Sequence, residues 1–128
     1  MKRFLLALPT VVLLAGTAAA EDLPHALTGD LIRIEHESCG TSTGYAPDFV
    51  RRVDLDGDGR ADVVLDYSQA LCGGLPEPYC TAQGCLLVAW RAEKAGWRKL
   101  FEGRARSWSV GEAGGRAALI VDGRAVEP

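Results

Sequence analysis

The chain has 128 residues, with 14 basic against 17 acidic, a net charge of −3 and a hydrophobic fraction of 48%, values of an ordinary globular protein. Its arginines are scattered without a basic run, which excludes the electrostatic footprint of a nucleic-acid binder. No amphipathic basic stretch offers itself to a membrane surface.

Residues 1–20 read as a cleaved secretory signal. Lys2-Arg3 forms the basic n-region, Phe4 to Gly16 the apolar run, and Ala18-Ala19-Ala20 the small residues before the cut, leaving Glu21 as the first mature residue. The run is too short to span a bilayer, and no second apolar stretch follows. A retained N-terminal anchor is the alternative. Residues 21–128 then form a single domain of 108 residues, and losing Lys2 and Arg3 leaves 12 basic against 17 acidic, a net charge of −5. All four cysteines, Cys39, Cys72, Cys80 and Cys85, lie in this part. An even count in a small exported domain implies two disulfides, in preference to a zinc site around Cys80 and Cys85. Of the three pairings, Cys39–Cys72 joining two strand ends and Cys80–Cys85 closing a local turn are preferred.

Along the mature chain, alternation dominates. Residues 31–36 place Ile32, Ile34 and His36 on one face and Arg33 and Glu35 on the other, which predicts a half-buried strand. Residues 38–47 form a loop rich in small residues, and Pro47-Asp48 could start a short helix within residues 45–52. Strands are expected at 49–53 and 61–67, the second with Val63, Leu65 and Tyr67 inward. Residues 69–84 carry Gly73-Gly74, Pro76 and Pro78 and read as an irregular, disulfide-stapled surface loop. A meander closes the chain, with strands at 85–91, 97–102, 104–110 and 117–122 separated by turns at 93–96, 102–103 and 111–115. No structured element is expected after Asp122. The fold class is therefore mainly β: a small antiparallel sheet, sandwich or meander.

Between the strands at 49–53 and 61–67 lies the segment richest in chemical content, Asp54-Leu55-Asp56-Gly57-Asp58-Gly59-Arg60-Ala61-Asp62. Carboxylates at relative positions 1, 3, 5 and 9 repel one another in water and converge favourably only around a hard cation. Asp54, Asp56 and Asp58 can ligate as the backbone curls, Gly59 takes the sharp turn at position 6, the Arg60 carbonyl points inward, and Asp62 donates directly or through water. An oxygen set of this kind suits Ca²⁺ better than Mg²⁺, which prefers fewer protein ligands and retained waters. Position 12 is Leu65 where an EF-hand has glutamate, and the flanks are β-rich, so this is not a helix–loop–helix sensor. A bound Ca²⁺ would bring the mature net charge from −5 to −3.

The segment resembles the calcium loop of FG-GAP and VCBS repeats, Asp-x-Asp/Asn-Gly-Asp-Gly-x-x-Asp followed by an apolar strand. The resemblance implies that Asp54, Asp56, Asp58 and Asp62 ligate Ca²⁺ in a strand–loop–strand setting. Those families stack several copies into a propeller, and the single copy here cannot close one.

Other chemistry is sparse. His25 and His36 are far apart, and neither a Gly-x-Ser-x-Gly elbow nor a His-Glu-x-x-His pair occurs. Carboxylate pairs such as Asp66 with Glu77, or Glu35 with Glu37, are not distinguished from solvated surface, so an enzyme is not expected. Trp90, Trp97 and Trp108 fall on predicted strands, as core residues or as a partner or sugar platform. The chain is thus expected to be a periplasmic or secreted binding module with a structural Ca²⁺, its partner an envelope or extracellular protein or a glycan. An inhibitor of an envelope enzyme such as lysozyme is the alternative. Such inhibitors are also small disulfide-bearing β-domains, but of their Ser-Gly-Ser-Gly-x-x-Tyr type of loop Thr41-Ser42-Thr43-Gly44-Tyr45 is only an echo. A hydrolase comes third.

Overall fold

The computed structural model describes residues 23–128, so the expected signal segment lies outside the described residues. The chain runs from helix α1 (His25–Ser38) through strands β1 (Thr43–Tyr45), β2 (Val50–Val53), β3 (Asp62–Asp66), β4 (Ala70–Cys72), β5 (Cys80–Thr81), β6 (Gly84–Glu93), β7 (Gly96–Ala105), β8 (Trp108–Ala113), β9 (Arg116–Val121) and β10 (Arg124–Ala125). All strand pairings are antiparallel. Strands β2, β3, β6 and β5, with β7 on β6, make the central sheet, β8, β9 and β10 a second sheet, and β1 with β4 a small third one.

The central sheet is covered on both faces. Val63, Leu65 and Val88 point into a cluster with Leu27, Leu31 and Ile34 of α1, while Val64, Leu87 and Ala89 join Leu119 and Val121 of β9 on the other side. This is why β3 is buried from Asp62 to Leu65. A strand flanked on both faces has no solvent side to alternate with.

The strand expected at residues 31–36 is instead part of α1. Six residues cannot separate the two periods, but a wider window does: Leu27, Leu31 and Ile34 stand four and three apart and form the buried stripe. Ile32 and His36, which alternation placed on one face with Ile34, are exposed, Ile32 at 59%, while Ile34 is buried. The three buried side chains of the stripe contribute roughly 1.5–3 kcal/mol each. Ion pairs fasten the helix at the rim, Asp30 to Lys99 of β7 at 2.8 Å and Arg33 to Glu102 at 2.8 Å.

Smaller corrections concern turns. The helix considered within residues 45–52 is a single 3₁₀ turn, Pro47–Phe49. The turn expected at Glu102-Gly103 is absent, and β7 continues through it, pairing Glu102 with Val88 and Gly103 with Leu87. Glycine stands there because a Cβ would lie 3.1 Å from the Phe101 ring, not because the chain turns. The break comes later, at Arg106 and Ser107, whose N–H groups donate to Asp122. Residues 111–113 remain in β8, and β10 closes the chain on β9 after a turn at Asp122-Gly123.

Two disulfides are present. Cys39–Cys72 ties the end of α1 to β4, and Cys80–Cys85 links directly opposed residues of β5 and β6. The irregular stretch between β4 and β5 is also held by Tyr79, which is buried, packs its ring tilted against Tyr67 with centroids 4.8 Å apart and shares a 2.7 Å hydrogen bond with Thr43. Arg104 donates to the carbonyls of Tyr79 and Pro78 from above.

Candidate metal centre

Strands β2 and β3 pair with Val53 opposite Asp62, so residues 54–61 are the connection of a β-hairpin. Apolar Leu55 is 2% exposed and plugs into the cluster around Leu119, pinning the loop to the β9 side of the sheet. Around this anchor, carboxylates accept the loop's backbone N–H groups. Asp54 takes those of Asp56, Gly57 and Gly59, Asp56 takes that of Asp58, and Asp58 takes that of Arg60. Each bond closes a tight local turn, which alternating aspartates with intervening glycines favour. Gly57 and Gly59 adopt φ of 76° and 83°, the left-handed region that a side chain disfavours.

Asp62 differs from the other three. It is fully buried and accepts from Leu55 N–H and Ala92 N–H, both at 2.8 Å. Its two oxygens thus join the loop to β3 and β6. The result is a cluster in which carboxylate oxygens of Asp54, Asp56, Asp58 and Asp62 lie within 4.8 Å of one another and could hold a metal ion.

The charge state follows from these surroundings. The Gly59 N–H, with those of Gly57 and Asp56, holds the Asp54 carboxyl below its ordinary range against a burial effect that opposes it. Burial pushes Asp56 up, and the Asp62 charge adds to it despite Arg91. Burial likewise raises Asp62, with the charges of Asp58 and Asp54 reinforcing it against its two N–H donors. The Asp56 side chain is only 9% exposed, yet its Oδ2 has no hydrogen-bond partner. Its close neighbour of opposite charge is the Arg91 guanidinium, an ion pair that compensates a single member of the acidic cluster. The donor set, all hard oxygen, therefore fits a hard cation.

Arg91 of β6 was not singled out from the sequence. Its Nε lies 2.6 Å from Asp56 Oδ2, a contact made by the fold across the hairpin, with no local sequence signal to announce it. The Ala92 N–H bond to Asp62 was equally non-local. The Arg60 side chain is exposed, and its N–H turns inward to Asp58.

The remaining candidates do not converge. Trp90 and Trp97 pack partly buried against the helix-side cluster, and Trp108 packs against the opposite one, so the three rings do not share a platform. Lys99 lies over Trp90 at 5.1 Å and Arg51 over Trp108 at 5.6 Å. Asp66 is engaged by Ser68 and by Trp108 Nε1, and Glu37 by Arg33. Burial raises the Glu35 carboxyl. His25 and His36 lie exposed on α1. Among the described residues, no helix is long and apolar enough to cross a membrane.

The class defined by fold and site is a small, mainly β protein with two disulfides and an acidic hairpin loop able to hold a metal ion. Comparison with family models, with curated proteins and with solved structures finds no match to the chain.

Proposed function

We propose that the loop binds Ca²⁺ and that the protein is an exported binding module whose hairpin is clasped by the ion. The observation that carries the calcium reading is the convergence of four carboxylates in one hairpin, of which Asp56 is ion-paired to Arg91. Asp54, Asp56, Asp58 and Asp62, with the Arg60 carbonyl, are the ligands. Side-chain donors alternating along a curled backbone give the flexible oxygen shell that Ca²⁺ accepts and the smaller Mg²⁺ does not. The ion would neutralise mutual repulsion among the carboxylates and couple β2, β3 and β6 through Asp62, so its role is structural.

Export is supported by the two disulfides, which persist in oxidising compartments. The leader-like residues 1–20 support it too. The partner is an envelope or extracellular protein or a glycan, and no catalytic constellation is proposed. Titration calorimetry of the full chain against CaCl₂ and MgCl₂ tests the calcium reading. One Ca²⁺ per chain, held at least tenfold more tightly than Mg²⁺, is expected. Equal affinities or no binding would refute it. Mass measurement of the exported protein tests the leader, with an N-terminus at Glu21 as the expected result.

A further inference from the structure

We infer that Arg91 is the internal counter-ion that sets how tightly the acidic loop holds its cation, an inference that rests on reading the loop as a calcium site. Arg91 reaches the loop from β6, with its Nε 2.6 Å from Asp56 Oδ2. Two roles are open to an arginine in that position. It could orient the carboxylate, in which case removing it weakens metal binding. Or it could act through charge alone, in which case removing it strengthens binding.

The geometry decides between them. Neither the Arg91 Nε nor the Asp56 Oδ2 is in hydrogen-bonding geometry with any partner, although both atoms are buried and close together. Direction is what a positioning contact supplies, and this one lacks it. Asp56 is instead oriented within its own loop, where its Oδ1 accepts from the Asp58 N–H at 3.3 Å. The Arg91 contact is charge against charge. Because its side chain is 29% exposed, solvent screens that charge incompletely.

A counter-ion of this kind has opposite effects on the two states of the loop. Without metal it offsets part of the carboxylate repulsion. With metal it is a positive charge beside a positive ion. A cleft of about 600 Å³ lined by Asp58, Arg60, Arg91, Glu93, Lys94 and Trp97 opens next to it, so the guanidinium has space to withdraw as a cation enters.

Titration calorimetry with CaCl₂ on the full chain, comparing wild type with Arg91→Met, Arg91→Gln and Arg91→Lys, tests this inference. Removal of one unit charge a few ångströms from a divalent ion should tighten binding by about tenfold in Arg91→Met and Arg91→Gln. Arg91→Lys keeps the charge and should stay within about threefold of wild type. The two neutral variants should melt at lower temperature than wild type in chelator, the reverse of their ranking with Ca²⁺. Weaker or unchanged Ca²⁺ affinity in both neutral variants overturns the inference, as does Arg91→Lys tightening equally. Those results leave the calcium reading standing, provided that wild type binds. Wild type that takes up no Ca²⁺ overturns both.

Discussion

Residues 54–61 and residues 73–79 are both irregular connections, and they are held in unlike ways. The second is stapled by covalent bonds near its ends, capped by buried Tyr79 and clasped by Arg104. Its order does not depend on anything outside the chain. The first is shaped by carboxylates accepting their own loop's N–H groups, which satisfies the backbone but gathers four like charges. Leu55 and Asp62 anchor it, and Arg91 answers only one of the charges. One segment is held by bonds and contacts within the chain, while the other gathers a carboxylate cluster that could hold a metal ion. The comparison teaches that an irregular loop can be fixed by cross-links or by a ligand, and that the two should respond to different perturbations.

The largest expected effect is on the stapled side. Cys39 and Cys72 lie 33 residues apart, so replacing both with serine should destabilise the fold by about 3.5–4 kcal/mol on the loop-entropy estimate. Urea denaturation measures it, and a loss below about 1 kcal/mol would remove the staple from the explanation. Provided that this variant still folds, its Ca²⁺ response should persist, since the acidic loop is held independently.

Asp62→Ala comes next, at about 2–4 kcal/mol, because the Leu55 and Ala92 N–H groups both lose their acceptor in a buried site. It should also abolish the Ca²⁺ response, thereby breaking the independence seen from the other side. A variant as stable as wild type would mean that water or backbone replaces the carboxylate without penalty.

Losing Cys80–Cys85 should be milder than losing the longer bridge. The separation is 5 residues, which corresponds to about 2 kcal/mol. A larger loss than that of the Cys39, Cys72 double variant would contradict the entropic ranking.

The smallest effect is expected outside both loops, at Asp30. Burial opposes its ionisation, but Lys99 and Arg33 outweigh that and hold its carboxyl below the ordinary range. A depressed folded-state pKa stabilises above the unfolded value and is lost as pH falls through the folded one. Asp30→Asn should therefore cost less than about 1 kcal/mol at neutral pH and nothing in strong acid, where wild type has lost the same contribution. Melts across the acid range check it, and a difference that grows toward low pH would be the wrong sign.

Much of this was legible in the sequence because it is local. The four aspartates and two glycines of the acidic loop stand within nine residues, and their spacing alone fixes which side chains meet. The antiparallel strands after Cys85 announce themselves through alternation and glycine turns. What could not be read is what the tertiary structure supplies. The choice between strand and helix at residues 31–36 was settled by a sheet face that needed Leu27, Leu31 and Ile34 together. The role of Gly103 depended on the Phe101 ring, and that of Asp62 on an N–H from β6. Arg91 reaches Asp56 only because β6 pairs with β3 beside the loop. The tryptophans carry no positional code for which face they join, and they divide between two.

The most direct test of the calcium clasp is the melting temperature of the full chain in EDTA and in excess Ca²⁺, for wild type and for Asp58→Ala, whose side chain is exposed and whose loss leaves the core intact. Binding at a hundredfold excess over the dissociation constant stabilises by about 2.7 kcal/mol, a rise of roughly 10 °C or more for a domain of this size. Wild type should show that rise and Asp58→Ala should not. Superimposable wild-type curves in EDTA and Ca²⁺ would contradict the assignment of the loop as a metal clasp.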